Sequence, residues 1–174
     1  MTEPRVAIMI GSANDLEVIA EAAKELDRFS VPYVVEVTSA HRSPRHTIEF
    51  VAECERRGVQ VFICSAGMAA HLGGVVAAHT TRPVLGVPLK GGVMDGLDSL
   101  LSTVMMPRGI PVGTLAIGGS GAANAAMLAC QILALADPRL AQKLVQRRED
   151  MAREVADSNV AAQARLGQLV GKPS

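Results

Sequence analysis

The chain has 174 residues, 49% of them hydrophobic and 20% charged, and its 17 Lys and Arg balance its 17 Asp and Glu. This length suits one domain with a sizeable core, and the neutral balance leaves no basic footprint for a nucleic acid or an anionic membrane. No secretory leader pattern precedes residue 5 and no apolar run approaches the length of a membrane span, so a cytoplasmic location is expected.

Aromatic residues are scarce, with one Tyr, three Phe and no Trp. The core must therefore be built from Ala, Val, Leu, Ile and Met. Such small side chains let backbones approach closely, and packing against further copies would add burial, so an oligomer is expected. Cys54, Cys64 and Cys130 are far apart, lie inside apolar patterns and form no CxxC. They give neither a disulfide framework nor a zinc site and are expected as buried thiols.

In chain order, "RVAIMIGS" is a short apolar strand ending in Gly-Ser. A helix follows in "NDLEVIAEAAKELDRF", with Leu16, Ile19, Ala20, Ala23 and Leu26 on one face. "VPYVVEVTSA" is a second strand. Ser43-Pro44 then supplies an N-cap and a proline at the first helical position, Ile48, Val51 and Ala52 line the helix, and Gly58 ends it. "VQVFICSAG" is a third strand, "MAAHLGGVVAAHTT" turns into a helix, and "RPVLGVPL" is a fourth strand. "GLDSLLSTVMM" is helical, "PVGTLAIGG" is a fifth strand, and "AANAAMLACQILALA" is a helix apolar nearly all round, which calls for burial on several sides. Residues 137–170 form a longer, more polar helical stretch, with a break expected near Asp157 to Asn159.

Five alternations of strand and helix predict an α/β fold, a flavodoxin-like three-layer sandwich with a parallel sheet. One domain over residues 1–174 is expected, with a core at about 5–137 and a C-terminal helical extension at about 138–170. Ligands of such sheets bind beyond the carboxyl ends of the strands. That rule selects the loops "GSAND", "SAHRSP", "SAGMAAHLGG" and "PLKGG".

"GSAND" is neither a Walker loop nor GxGxxG. Its backbone N–H groups, with Ser12 and Asn14, could hold a phosphate, and Asp15 sugar hydroxyls. Spacing alone leaves equal room for Asn14 or Asp15 as a plain helix cap. Of the four histidines, His41 and His71 fall in the selected loops, whereas His46 and His79 read as solvated or capping residues. An imidazole at a strand end can move protons near neutral pH, and Arg42 is either an anion ligand or a solvated charge. HxH, HExxH and clustered carboxylates are absent, and Ser39 or Ser65 lacks a GxSxG elbow. The glycines of "GIPVGTLAIGGSGAANAA" serve either close packing or a loop that reaches into a neighbouring site.

The strings "GSANDL", "TSAHRSP", "SAGMAAHLGG", "PVLGVPLKGG", "GLDSLLSTVMMPRGIPVGTLAIG" and "GAANAAMLACQIL" occur in an order and spacing that resemble the catalytic subunit of phosphoribosylaminoimidazole carboxylase, over about residues 5–137. That family has a class that moves a carboxylate within N5-carboxyaminoimidazole ribonucleotide and a class that carboxylates aminoimidazole ribonucleotide directly. Arg42, Ala69, Ala70 and His71 resemble the mutase class. The chain departs from it at Asn14 (usually Ser), Leu16 (commonly Trp), Met68 and Gly73 (usually Gly and Pro), and Lys90-Gly91, which replace a stretch that commonly carries Ser.

The resemblance implies a cofactor-free, metal-free shift of a carboxylate from the exocyclic nitrogen to the ring carbon of a small ribonucleotide. It implies His41 as general acid and base. His71 would orient the carboxylate or position the substrate, near the backbone N–H groups of Ser65, Ala66 and Gly67. Ser12, Asn14, Ser39 and Arg42 would hold the phosphate and Asp15 the ribose, with Ala40, Ala70 and Leu72 also at the substrate. A homo-octamer is implied, with sites at subunit junctions, "GGSGAANAA" closing a neighbour's pocket and the helix at 122–136 as a core contact. Direct carboxylation is the nearer rival, and a non-enzymatic nucleotide-binding domain the more distant one.

Overall fold

Strand β1 (Val6–Ile10) is fully buried at every position, which places it at the centre of a sheet rather than at an edge. The computed structural model describes residues 3–171 and resolves into two compact units, one ending at Leu133 and one starting at Ala134. In the first unit β1 is followed by a 3₁₀ turn (Ala13–Asp15) and α1 (Leu16–Phe29), then β2 (Tyr33–Val37), α2 (Pro44–Arg56), β3 (Val61–Gly67) and α3 (Leu72–Ala77). β4 (Val84–Leu89), α4 (Leu97–Val104), β5 (Gly113–Thr114) and α5 (Gly119–Ala134) complete the order.

The five strands are parallel in the order β2-β1-β3-β4-β5. This is the flavodoxin-like α/β arrangement that the alternation predicts. The β1-to-β2 connection steps one way along the sheet and the β2-to-β3 connection steps back past β1. Since such crossovers are right-handed, α1 and α2 fall on opposite faces and make three layers. Alternation along the strands divides the core accordingly. Ala7, Met9, Phe62 and Cys64 join Val51 and Cys54 of α2 and Leu72 and Val76 of α3 in one cluster. Val6, Ile8, Ile10, Val61 and Ile63 point to the other face and are equally buried.

Several expected details differ. The buried stripe of α1 is Ile19, Ala22, Leu26 and Phe29, while Leu16 at the helix start is exposed. On α2 the buried residues are Thr47, Val51 and Cys54, leaving Ile48 and Ala52 exposed. The face turns because the Thr47 hydroxyl is bound inside, 2.7 Å from that of Thr38. Ser43 occupies the N-cap position, but its hydroxyl makes no capping bond. It instead accepts from the Ser39 N–H at 3.0 Å and donates to the Ser39 carbonyl at 3.2 Å.

The strand expected across "PVGTLAIGG" has only two ladder residues. Gly86 and Pro88 of β4 turn their carbonyls to this edge and accept from Leu115 and Gly118, each at 2.9 Å. Pro88 has no N–H to return, so a regular ladder cannot continue beside it. "GGSGAANAA" is helical from Gly119 on, which agrees with close packing, the first of the two roles expected for its glycines.

In the second unit α6 (Pro138–Leu169) starts on Pro138 at its first turn, with the Asp137 carboxylate accepting from the Leu140 N–H at 3.2 Å. It runs unbroken through Asp157-Ser158-Asn159, contrary to the expected break. Those residues are weak helix formers, but none lacks an N–H or demands a left-handed backbone, so each costs only a fraction of a kcal/mol. No helix of the described residues is long and apolar enough to cross a membrane.

The three thiols are buried, and burial pushes Cys54 and Cys130 up to about 11 and Cys64 higher still. Gly121, in the first turn of α5, is where close approach is absolute, because a Cβ there would overlap the Ala116 carbonyl oxygen. Gly121→Ala is expected to lower the melting temperature by at least about 5 °C, as read by a thermal melt, since overpacking costs at least 1–3 kcal/mol.

Candidate active site

A cavity of about 630 Å³ opens at the carboxyl ends of β1 to β4. Its place follows from the strand order. The chain leaves β1 and β3 toward opposite faces, so the two following loops diverge and leave a crevice. Gly11, Ser12, Asn14 and Asp15 line it from β1, and Ser39, Ala40, His41 and Arg42 from β2. Ala66, Gly67, Met68, Ala69, His71 and Leu72 line it from β3, and Lys90, Gly91 and Gly92 from β4.

The loop after β1 commits most of its backbone. Gly11 N–H donates to the Ser65 carbonyl and Asp15 N–H to the Ser12 carbonyl, both at 3.1 Å, and Asn14 N–H to Ser12 Oγ at 3.2 Å. The backbone cradle expected for a phosphate is therefore largely occupied. Its remaining donors are the Ala13 N–H and side chains. Ser12 caps the 3₁₀ turn, whereas Asp15 makes no side-chain capping bond. Burial holds the Asp15 carboxyl above the usual carboxylate range, against a lowering hydrogen bond from the Ser12 backbone.

The loop after β2 is tied down by hydroxyls. Ser39 Oγ accepts from the Arg42 N–H at 3.1 Å and its Nε–H at 3.5 Å, and the Arg42 Nη2 group donates to the Gly11 carbonyl at 3.2 Å. These bonds close the turn around Ala40 and His41. His41 Nε2 then lies 2.8 Å from His71 Nδ1, with the rings edge to face, 5.0 Å between centroids and 82° between planes. A bond between two ring nitrogens needs one donor and one acceptor, so one ring donates its N–H and the other accepts through a lone pair. Loops thirty residues apart thus bring two imidazoles into hydrogen-bond contact.

Ser65 and Ala70 stand apart from the other expected residues. The Ser65 hydroxyl is fully buried and donates to the Val87 carbonyl at 3.1 Å, and Ala70 is buried behind Ala69; neither lines the cavity. His46 pairs with Glu36 at 2.7 Å, and His79 Nδ1 donates to the Val75 carbonyl at 2.8 Å near the end of α3. Gly11, Met68, Ala69 and the run Lys90 to Gly92 line the cavity without having been assigned to it. The strand-end rule did select "PLKGG", but one lysine beside glycines matches no catalytic pattern.

The model of the family described as AIR carboxylase matches residues 5–154. The chain belongs to the AIR carboxylase family. Among curated members it is 50% identical to N5-carboxyaminoimidazole ribonucleotide mutase of Haemophilus influenzae, covering 88% of this chain and 94% of that one. It is 47% identical to the mutase of Bacillus subtilis, covering 90% and 97%. Of solved structures, Treponema denticola PurE superposes with a TM-score of 0.82 at 26% identity, covering 91% of this chain and 98% of that one.

Asp15 carries a stability cost at neutral pH. A carboxyl whose folded pKa is raised stabilises the fold only while protonated, and that contribution is lost as pH rises through the folded value. At neutral pH the ionised group opposes folding. Asp15→Asn is therefore expected to melt a few degrees higher than the parent at pH 7, with the gap closing toward pH 3, in paired melts across that range.

Proposed function

We propose that this chain is an N5-carboxyaminoimidazole ribonucleotide mutase of de novo purine biosynthesis, acting in the cytoplasm. The machinery lies in the unit that ends at Leu133. The observation that carries the reading is the His41–His71 bond inside a strand-end cavity sized for a mononucleotide. Relatives at about half identity that bear the mutase name support the reaction.

Ser12, Asn14, Ser39 and Arg42 hold the phosphate, and Asp15 the ribose hydroxyls. Ala40, Ala66, Gly67 and Leu72 shape the wall around the imidazole, while Ser65 and Ala70 support it from behind. His41, protonated, gives its proton to the exocyclic nitrogen as the N–C bond to the carboxyl breaks and carbon dioxide leaves. The electron-rich ring carbon attacks that carbon dioxide, forming a C–C bond. Neutral His41 then removes the proton from the same carbon and restores the aromatic ring. One proton leaves the imidazole and one returns, so the cycle balances. His71, bonded through Nδ1, fixes the tautomer and ring direction of His41.

Free carbon dioxide must be held in a dry space, yet His41 and His71 are exposed in the single chain. A cover from further copies answers this. Leu101 and Val104 of α4, with Met105 beside them, expose apolar surface, Met105 to 77%. A homo-octamer built on such faces, with sites at its junctions, is the assembly we propose. Sedimentation is expected to give a mass near eight times that of the chain, and a monomer mass would remove the assembly.

Purified protein is expected to convert N5-carboxyaminoimidazole ribonucleotide rapidly without added bicarbonate, followed by ultraviolet absorbance. It should make little product from aminoimidazole ribonucleotide with bicarbonate near physiological levels. The reverse result would assign the carboxylase class instead. His41→Asn is expected to bind the ribonucleotide and turn over at least about 100-fold more slowly; near-normal turnover would sink the acid–base assignment.

A further inference from the structure

Lys90 is a cavity-lining cation to which the mechanism above gives no task. It follows β4, whereas Arg42 follows β2. These strands are three places apart in the sheet, or about 14 Å between their axes. The two loops thus enter the cavity from opposite sides, with the β3 loop that carries His71 between them. The ammonium of Lys90 is 3.4 Å from Asp95 Oδ2, with side chains 70% and 76% exposed. An ion pair so exposed contributes little, and a better-placed anion displaces it readily.

The loop that carries Lys90 is built to lie close to the β3 loop. Gly91 and Gly92 have φ of 142° and 69°, a region that favours glycine. A Cβ on Gly92 would stand 3.3 Å from Met68 Cγ and 3.1 Å from Asp98 Oδ2, so the Met68 side chain lies directly over this glycine. Met68 is itself left-handed, at φ 52°, and its carbonyl accepts from Ser102 Oγ of α4 at 3.4 Å. Met68 and Lys90-Gly91 are both departures from the pattern the sequence otherwise resembles. Here Met68 packs on Gly92, the residue that follows Lys90-Gly91, so the methionine braces a loop whose first residue is a cation.

We propose that Lys90, held over the cavity by the packing of Met68 on Gly92, recognises the carboxylate of the substrate and product on the side opposite Arg42. This rests on the mutase reading and adds a specificity residue to it. The carboxyl group carries charge when bound to nitrogen or to carbon, and none as carbon dioxide between. A cation there strengthens binding of both end states more than it lowers the barrier, so its removal acts on KM more than on kcat.

The test compares the parent with Lys90→Met and Lys90→Arg by calorimetric titration with two ligands that differ only in the carboxylate. They are 4-carboxy-5-aminoimidazole ribonucleotide and 5-aminoimidazole ribonucleotide. Lys90→Met is expected to bind the carboxylated ligand at least about tenfold more weakly, the low end for a charge-assisted bond, and the other within about twofold of the parent. Its KM for N5-carboxyaminoimidazole ribonucleotide should rise by a similar factor while kcat moves less. Lys90→Arg should keep most of the discrimination. Equal loss for both ligands would overturn the assignment, placing Lys90 at the phosphate or in the loop's folding. So would no loss for either ligand in a variant whose parent turns over normally. A parent that neither turns over nor binds either ligand would overturn the mutase reading and this proposal with it.

Discussion

The reversal of winding at β1 is the constraint on which the site depends. Had β3 continued outward beyond β2, the loops after β1, β2 and β3 would leave the sheet over one face and close upon one another. Because the chain steps back, the loops holding Ser12 and His71 diverge, and a cleft opens over the centre of the sheet. The cost is that β1 is buried on both faces and paired on both edges, so it must be wholly apolar, as VAIMI is. The sheet's central strand thus carries no chemistry. It determines where the chemistry is gathered.

Within that cleft, His41 depends on hydroxyls that never reach it. Thr38 and Thr47 bond each other in the core, Ser43 bonds both backbone groups of Ser39, and Ser39 accepts from Arg42. Each is an ordinary neutral bond worth about 1 kcal/mol. Their collective effect is geometric: a four-residue turn is closed at both ends, leaving Ala40 and His41 little freedom. The helix cap and the turn before it compete for the one Ser43 hydroxyl. Here the turn takes the hydroxyl, and Pro44, whose missing N–H asks for no cap, starts the helix instead.

The sequence was legible where one pattern had one cause. The apolar runs of β1, β3 and β4 are short, β-branched and bounded by Gly, Ser or Pro, which marks them as buried strands, and the loops at their ends follow from the sheet rule alone. It was illegible where tertiary partners decide. Ile48 and Thr47 exchange places on α2 because of a hydroxyl on another strand, which periodicity cannot register. The end of β5 is written in Pro88, on a neighbouring strand some twenty-five residues earlier. His41 and His71 were each visible as loop imidazoles, but their mutual bond is a contact across thirty residues and has no local signature. Ser65 and Ala70 lie within cavity-forming loops, yet alternation along β3 and the tight turn at Met68 bury them; adjacency in sequence did not settle which neighbours face the cavity. Lys90 was missed for the opposite reason. A lysine after a strand is too common to stand out until its glycines are seen under Met68.

The distribution of charge relates the cavity to the remaining surface. Ala and Gly fill the wall of the cavity between the charged and imidazole side chains, which leaves its centre open. A wall of small residues gives that space but cannot cover it, because Ala and Gly do not reach far. The exposed apolar residues on α4 follow the loop that carries Lys90 in the chain, so whatever covers them would sit beside that loop. A chain nearly without aromatic side chains has few other means to make a lid, and further copies of itself are the apolar material nearest to hand.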